Sequence, residues 1–122
     1  MNSKNLAVRC LSLSGLASLA VTAALAQDPV KVAPQAFTVK LDNAKVRVLD
    51  YRSKPGDKEA MHAHPASVVY ALSDCHLKYT APDGKTSEVD VKAGEPQWRD
   101  PFSHAVENIG TTECHSILVE VK

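Results

Sequence analysis

The strongest constraint on the fold of this chain is a succession of short β-type segments that begins at residue 37. Period-two runs of β-branched and aromatic residues are interrupted by turn residues roughly every 8–12 positions, a spacing typical of β-sandwiches and β-barrels. No stretch repeats apolar residues at i, i+3, i+4 and i+7 over the length of a helix. We therefore predict an all-β single domain, and a closed antiparallel β-barrel is favoured because closure removes exposed edge strands.

The predicted strands each end where turn residues begin, and they cover residues 37–41, 46–51, 67–72, 77–80, 88–91 and 115–121. Between the fourth and fifth of these, Pro82-Asp83-Gly84 predicts a tight hairpin. Residues 27–36 lead into the barrel domain of residues 37–122, and Pro29 and Pro34 favour a loop or an edge segment there.

Residues 1–26 have the three zones of a secretory signal peptide. Lys4 and Arg9 are basic, an uncharged Leu- and Ser-rich stretch follows, and Ala24-Leu25-Ala26 predicts cleavage before Gln27. A transmembrane anchor is the alternative, but the apolar stretch is short and rich in serine for a bilayer span. Cleavage would place residues 27–122 in the periplasm or outside the cell, with no membrane span and with two more acidic than basic residues. That charge excludes the basic surface that drives binding to nucleic acid.

The tripeptide His62-Ala63-His64 is the clearest functional signal. Residues i and i+2 of a strand face the same side, so both imidazoles would point the same way. Two convergent imidazoles suit a divalent Fe, Mn, Ni, Cu or Zn ion, and His104 is the natural third ligand. The alternative is two surface histidines whose spacing is a coincidence.

The surroundings of these histidines resemble the paired signature of the cupin superfamily. Its first motif reads G, five residues, H-x-H, three or four residues, E, six residues, G, and its second reads G, five residues, P-x-G, two residues, H, three residues, N. The matching positions, in chain order, are Gly56, His62, His64, Gly94, His104 and Asn108, with Asp100-Pro101-Phe102 as a shifted and degraded P-x-G. The resemblance covers about residues 41–121 and implies a small single-domain cupin barrel of the jelly-roll type, with His62, His64 and His104 as metal ligands.

The motif's glutamate is the main departure from the family pattern. Its position falls on Val68 or Val69, and strand parity places Val68 on the face of His62 and His64. The resemblance therefore implies a three-histidine site, which leaves a divalent ion more positive than a site with a glutamate would and favours an anionic ligand. The site is also similar to that of the thiol dioxygenases among the cupins, which hold iron with three histidines.

Further pocket residues are expected near the third histidine. Trp98 and Phe102 could wall the mouth of the barrel or only fill its core. Tyr70 shares the parity of the histidines and could reach the cavity or lie at its rim. Arg99 could bind a ligand carboxylate or be solvated, and Asn108 could line the site or hold a loop.

Cys75 and Cys114 are the two cysteines that remain after cleavage, and strand parity places both off the inward face. A disulfide between them suits an exported protein. Two free thiols, or a zinc site completed by His76 and His115, are the alternatives. As ligands of the main site, His76 is left out by parity. His115 would qualify only if its strand turns Ile117 and Val119 inward.

The sequence thus predicts an exported cupin that binds a divalent transition metal and a small, anionic molecule. A three-histidine dioxygenase-like oxidoreductase acting on a small thiol or carboxylate is the alternative, and the sequence does not decide whether the protein is an enzyme. A homodimer formed through edge strands is also expected from the resemblance.

Overall fold

The computed structural model describes residues 27–122, so the predicted signal segment lies outside the described residues. The elements in chain order are α1 (Pro29–Val32), β1 (Phe37–Asp42), β2 (Val46–Ser53), β3 (Lys58–His64), β4 (Ser67–Ala71), β5 (Cys75–Thr80), β6 (Thr86–Val91), β7 (Pro96–Arg99), β8 (Phe102–Asn108) and β9 (Cys114–Val121). The all-β prediction is confirmed. Within the described part, no helix has the length and apolar character needed to cross a membrane.

The short helix α1 corrects the prediction of a loop or an edge segment in residues 27–36. The Asp28 side chain accepts a hydrogen bond from the amide of Val30, and Pro29 occupies the first turn, where its missing N–H costs nothing. These local start signals act over a single turn, which is too short to produce an apolar repeat in the sequence.

Two antiparallel sheets make up the jelly roll. The five-stranded sheet has the order β1-β2-β9-β4-β7, and the four-stranded sheet has the order β3-β8-β5-β6. The predicted hairpin is confirmed between β5 and β6, where Gly84 adopts the positive φ of 84° that favours glycine. Leu49, Phe37, Leu77, Val106 and Leu118 pack in the core between the sheets.

A disulfide joins Cys75 on β5 to Cys114 on β9, with their Cα atoms 5.3 Å apart, and so links the two sheets. Both cysteines are buried in the core, which corrects the expectation that they lie off the inward face. The inward residues of β9 are Cys114 and every second residue after it, so Ile117 and Val119 face outward. Parity fixes which residues share a face, but not which face is the inner one.

A β-bulge in β3 determines what reaches the interior beside the histidines. Glu59 pairs with Val106 and His62 pairs with His104, so three steps along β3 match two steps along β8. The extra residue lets Glu59 and His62 both point inward although their spacing is odd.

Candidate metal centre

The three predicted histidines meet inside the fold. His62 and His104 form a cross-strand pair on β3 and β8, and His64 follows two residues after His62 on the same face. All three are buried, and one ring nitrogen from each lies within 4.8 Å of the others. The ring centroids are 4.8 Å apart for His62 and His104, 5.0 Å for His62 and His64, and 5.6 Å for His64 and His104.

The hydrogen bonds of these rings leave nitrogen lone pairs for a ligand. His62 Nδ1 donates to the carbonyl oxygen of Ala60 at 2.7 Å, which leaves Nε2 as the unprotonated nitrogen. Among the described residues, neither His62 Nε2 nor His104 Nδ1 has a hydrogen-bond partner, although both atoms are buried. Buried polar atoms without a partner are uncommon, and a metal ion is one of their regular explanations. The donor set therefore fits a divalent transition metal.

Burial also keeps these rings in the form that binds metals. It lowers the pKa of His104 to about 3, and the neighbouring His62, His64 and Arg99 act in the same direction. It lowers the pKa of His62 as well, against the hydrogen bond to Ala60. Both imidazoles are therefore neutral at neutral pH, as metal ligation requires.

A buried glutamate orients the third ring. Glu120 on β9 accepts a hydrogen bond from His64 Nδ1 at 2.8 Å, which directs His64 Nε2 away from it, and accepts another from Arg47 Nε at 2.7 Å. Burial would raise the pKa of Glu120, but the hydrogen bonds from His64 and Arg47 outweigh it and hold that pKa below its usual value. Carboxylates commonly orient metal-binding histidines in this way.

Sequence reasoning missed Glu120 because it turned the wrong face of β9 inward. A buried Cys114 sets the parity that brings Glu120 inside, so treating the predicted disulfide as part of the core would have found it.

A cavity of about 60 Å³ opens beside the histidines, with both His64 and His104 on its wall. Its remaining wall is mainly aromatic and aliphatic, and it includes Phe37, Tyr51, Tyr79, Phe102 and Val69. Two basic residues, Arg99 and Lys92, and the acidic Glu95 also line it. The site thus combines three imidazoles with a small apolar chamber that carries cationic groups.

The structure places only some of the predicted pocket residues at this cavity. Phe102 lines it, and its ring centroid lies 4.7 Å from that of His104. Trp98 and Tyr70 point outward, with 59% and 42% of their surface exposed, so their predicted place in the pocket is wrong. Asn108 is buried away from the cavity and holds a loop, since its side-chain amide donates to the carbonyl oxygens of Ser53 and Thr112.

The errors on β4 and β7 both follow from a change of sheet, which the chain makes between β3 and β4 and again between β7 and β8. The chain changes sheets between His64 and Ser67, so the parity of β3 does not continue into β4. Val69 rather than Val68 lines the cavity. On β7 the inward residues are Gln97 and Arg99, which flank Trp98.

The two remaining histidines lie away from the cluster. His76 contacts Asp90 Oδ1 at 2.6 Å and Glu88 Oε2 at 2.9 Å on the outer surface, and these acids raise its pKa. His115 also faces outward and lies 3.3 Å from Asp50 Oδ1.

Comparison with solved structures identifies proteins of similar fold. A cupin domain from Bordetella pertussis Tohama I is 28% identical, with a TM-score of 0.65, and the match covers 70% of this chain and 91% of that one. The chain belongs to the cupin superfamily. Two further structures share the cupin fold at lower identity. A double-stranded β-helix protein from Klebsiella pneumoniae is 23% identical with a TM-score of 0.57, covering 70% of this chain and 74% of that one. An RmlC-like cupin from Methanocaldococcus jannaschii is 12% identical with a TM-score of 0.54, covering 70% and 79%. Neither a comparison with protein-family models nor one with curated proteins gives a match.

Proposed function

We propose that this protein is an exported cupin that holds one divalent transition metal through His62, His64 and His104 and binds a small anionic molecule beside it. The observation that carries the proposal is the pair of buried, unpartnered nitrogens, His62 Nε2 and His104 Nδ1, next to a third imidazole oriented by Glu120. Three neutral nitrogen donors suit Fe, Mn, Ni, Cu or Zn.

The charge around the cavity supports an anionic ligand. A divalent ion held by three neutral imidazoles keeps its full charge, and we assign the position of the motif's glutamate to Val69, an apolar residue on the cavity wall. Arg99 adds a guanidinium that can bind a carboxylate with two hydrogen bonds. A cavity of about 60 Å³ holds roughly four to six water-sized groups, so the ligand is a small molecule.

A metal-dependent oxidoreductase acting on a small thiol or carboxylate is the second candidate. It is favoured by a buried carboxyl group, Glu59, which contacts the cavity-lining Tyr51 and can hold or release a proton near neutral pH. The metal, when bound, would supply the redox chemistry. The chain's own residues would bind the substrate and exchange its proton.

Elemental analysis tests the metal site. The full chain is expressed with its first 26 residues, purified from the periplasm and loaded in turn with each of the five metals. We expect one metal ion per chain in the wild type and none in His62→Ala/His104→Ala. The matched control His76→Ala/His115→Ala removes two histidines outside the cluster and should keep the metal. Absence of metal from the wild type under every loading condition overturns the proposal.

Three further measurements test the rest of the function. The mass of the purified chain should place its N-terminus at Gln27 if export and cleavage occur. Binding of a panel of small carboxylates and thiols should weaken in Arg99→Gln but not in Arg52→Gln, which alters an arginine outside the cavity. Oxygen consumption with the same panel separates the oxidoreductase from a protein that only binds.

A further inference from the structure

Glu59 is a buried carboxyl group that lies outside the set formed by the three histidines and Glu120. It is 2% exposed, because the bulge in β3 turns it into the interior. There the pair of Glu59 and Val106 lies next to the pair of His62 and His104. Without the extra residue, its odd spacing from His62 would place it on the outer surface. Bulges often occur beside active sites, where they redirect a side chain.

The groups that face Glu59 come from two strands and the loop before β3. Tyr51 on β2 donates a hydrogen bond to Glu59 Oε2 at 3.4 Å, and the buried Ser53 hydroxyl lies beside it on the same strand. Asp57 in the loop before β3 adds a negative charge, and Tyr79 on β5 is a further neutral neighbour. The salt bridges within residues 27–122 include none to Glu59.

A carboxyl group in such surroundings is protonated more readily than usual. Burial raises the pKa of Glu59 to about 7, against the nearby hydroxyl groups of Ser53 and Tyr51, and Asp57 raises it further. The group is therefore poised to change charge close to neutral pH.

We propose that Glu59 gives up a proton when a divalent cation enters the three-histidine cluster. The resulting carboxylate, which contacts the cavity-lining Tyr51, supplies the negative charge that the cluster lacks. The inference rests on the proposed metal site. The cation binds to the imidazole nitrogens, the Glu59 O–H bond breaks, and the proton leaves for solvent. The Tyr51 hydroxyl then donates to the carboxylate. A divalent charge nearby in a poorly polarisable interior stabilises the ionised carboxylate, which gives this exchange its direction.

Calorimetric titration with Co²⁺ tests the inference. Titrations at pH 6 and pH 8, in buffers with different ionisation enthalpies, give the affinity and the protons released per ion. At pH 6 we expect the wild type to release up to about one proton more than Glu59→Gln. Its affinity should rise with pH more steeply than that of the variant. At pH 8 the variant should bind Co²⁺ about tenfold more weakly.

Two further variants make the result specific. Glu59→Asp keeps a carboxyl group and should restore proton release, whereas Glu107→Gln alters an acid on the outer surface and should match the wild type. Equal proton release in wild type and Glu59→Gln, with Co²⁺ bound by both, overturns this inference alone. If the wild type binds no Co²⁺ or any other metal tested, the proposed function fails with it.

A different observation concerns the outer face of the five-stranded sheet. One row of the register crosses all five strands and consists entirely of apolar residues, namely Leu41, Val48, Val119, Val68 and Trp98. The next row adds Ile117, Tyr70 and Pro96 beside the polar Thr38 and Asp50, and the row on the other side adds Val46 and Val121. We call the ten apolar residues of these rows the outer apolar face.

The size of this face approaches that of an interface between two protein chains. Five strands about 4.8 Å apart and three rows about 7 Å apart span roughly 24 Å by 20 Å. The projected area is near 500 Å², and a standard interface buries about 800 Å² of accessible surface on each partner. Both edge strands carry a large exposed apolar residue, Leu41 on β1 and Trp98 on β7, so a twofold axis along the central strand β9 would bring each opposite the other.

We infer that a second copy of this chain covers the outer apolar face, so that two five-stranded sheets pack face to face rather than by their edges. Analytical ultracentrifugation of the purified protein should give twice the mass of one chain. Trp98→Lys/Val119→Lys should give a monomer, and Ile109→Lys, which alters an exposed apolar residue outside this face, should stay dimeric. A monomeric wild type across micromolar to millimolar concentrations overturns this inference, as does a dimer that survives the double substitution.

Discussion

Two glutamates are buried beside the same histidine cluster, and their surroundings shift their pKa values in opposite directions. Glu120 lies between Arg47 and His64 and makes short hydrogen bonds to both. Glu59 lies on the other sheet, where it accepts a hydrogen bond from the Tyr51 hydroxyl and has no ion-pair partner among the described residues. The pKa of Glu120 falls below its usual value, whereas that of Glu59 rises to about 7.

The difference shows that burial alone does not set the charge of a carboxyl group. Burial raises the pKa in both cases, and the partners decide whether it stays raised. With a guanidinium beside it, Glu120 is a fixed charge that orients His64. Without one, Glu59 is an adjustable charge whose state depends on pH and, by our proposal, on the metal. The charge of Glu120 therefore stays fixed near neutral pH, whereas the charge of Glu59 can change.

The largest expected effect comes from removing the fixed charge. Glu120→Ala leaves the buried Nδ1–H of His64 without its acceptor and leaves the largely buried guanidinium of Arg47 with one carboxylate partner, Asp28, instead of two. It should lower the free energy of unfolding by about 3–5 kcal/mol. Urea denaturation at pH 7 measures this loss. The control is Glu107→Ala, which alters a more exposed acid and should leave the urea midpoint unchanged. A Glu120→Ala protein as stable as the wild type would show that the ion pair does not hold β2 and β9 together.

Removing the cation should make Glu120 behave like Glu59. In Arg47→Met the buried carboxylate loses its cationic partner and keeps the hydrogen bond from His64, so we expect a loss of about 2–4 kcal/mol at pH 7. Since the variant's Glu120 would have a raised pKa, its protonation restores stability as the pH falls, and the difference from the wild type should shrink toward pH 5. Urea denaturation between pH 5 and pH 8 tests this, with the exposed Arg52→Met as control. A loss that is constant with pH would contradict the explanation.

Removing the carboxyl group of Glu59 should raise the free energy of unfolding instead of lowering it. A raised carboxyl pKa means that the folded state holds a proton that the unfolded chain releases above about pH 4.5, so Glu59 lowers stability progressively as the pH rises through 7. In metal-free protein, Glu59→Gln should therefore be more stable than the wild type at pH 8, by about 1–3 kcal/mol. The two should agree at pH 4. Urea denaturation across this range measures the crossover, and a variant less stable than the wild type at pH 8 would rule out an uncompensated charge.

The sequence predicts the histidine cluster but not the two glutamates, and the reason is physical. The spacing of His62 and His64 fixes their common face within one unbroken strand segment, and the resemblance to the cupin motifs adds His104. Glu59 reaches the interior only through a bulge, which has no signal in period-two patterns. Glu120 requires knowing which face of β9 is the inner one, and alternating apolar residues on both faces of that strand conceal it.

The mispredicted pocket residues lie beyond a similar break in parity, where the chain passes from one sheet to the other. Phe102 is on the histidines' own strand pair and follows from local parity, whereas Tyr70 and Trp98 belong to the other sheet. A turn between sheets resets parity, so a prediction carried across Pro65 and Ala66 selects the wrong face. The apolar character of Tyr70 and Trp98 reflects the outer apolar face instead of the cavity.

The smallest expected effect isolates the hydroxyl that faces Glu59. The hydrogen bond from Tyr51 is long, at 3.4 Å, so Tyr51→Phe should cost about 0.5–1 kcal/mol at pH 8. That bond favours the carboxylate, and its loss should raise the pKa of Glu59 further, which shifts the pH dependence of stability to higher pH. Urea denaturation from pH 5 to pH 9 measures the shift, and Tyr70→Phe on the outer face is the matched control. If the pH dependence of stability is unchanged in Tyr51→Phe but disappears in Glu59→Gln, burial alone sets the pKa of Glu59, and Tyr51 only fills space. If it shifts, the cavity wall and the buried carboxyl form one unit, and a molecule that contacts Tyr51 will alter the charge of Glu59.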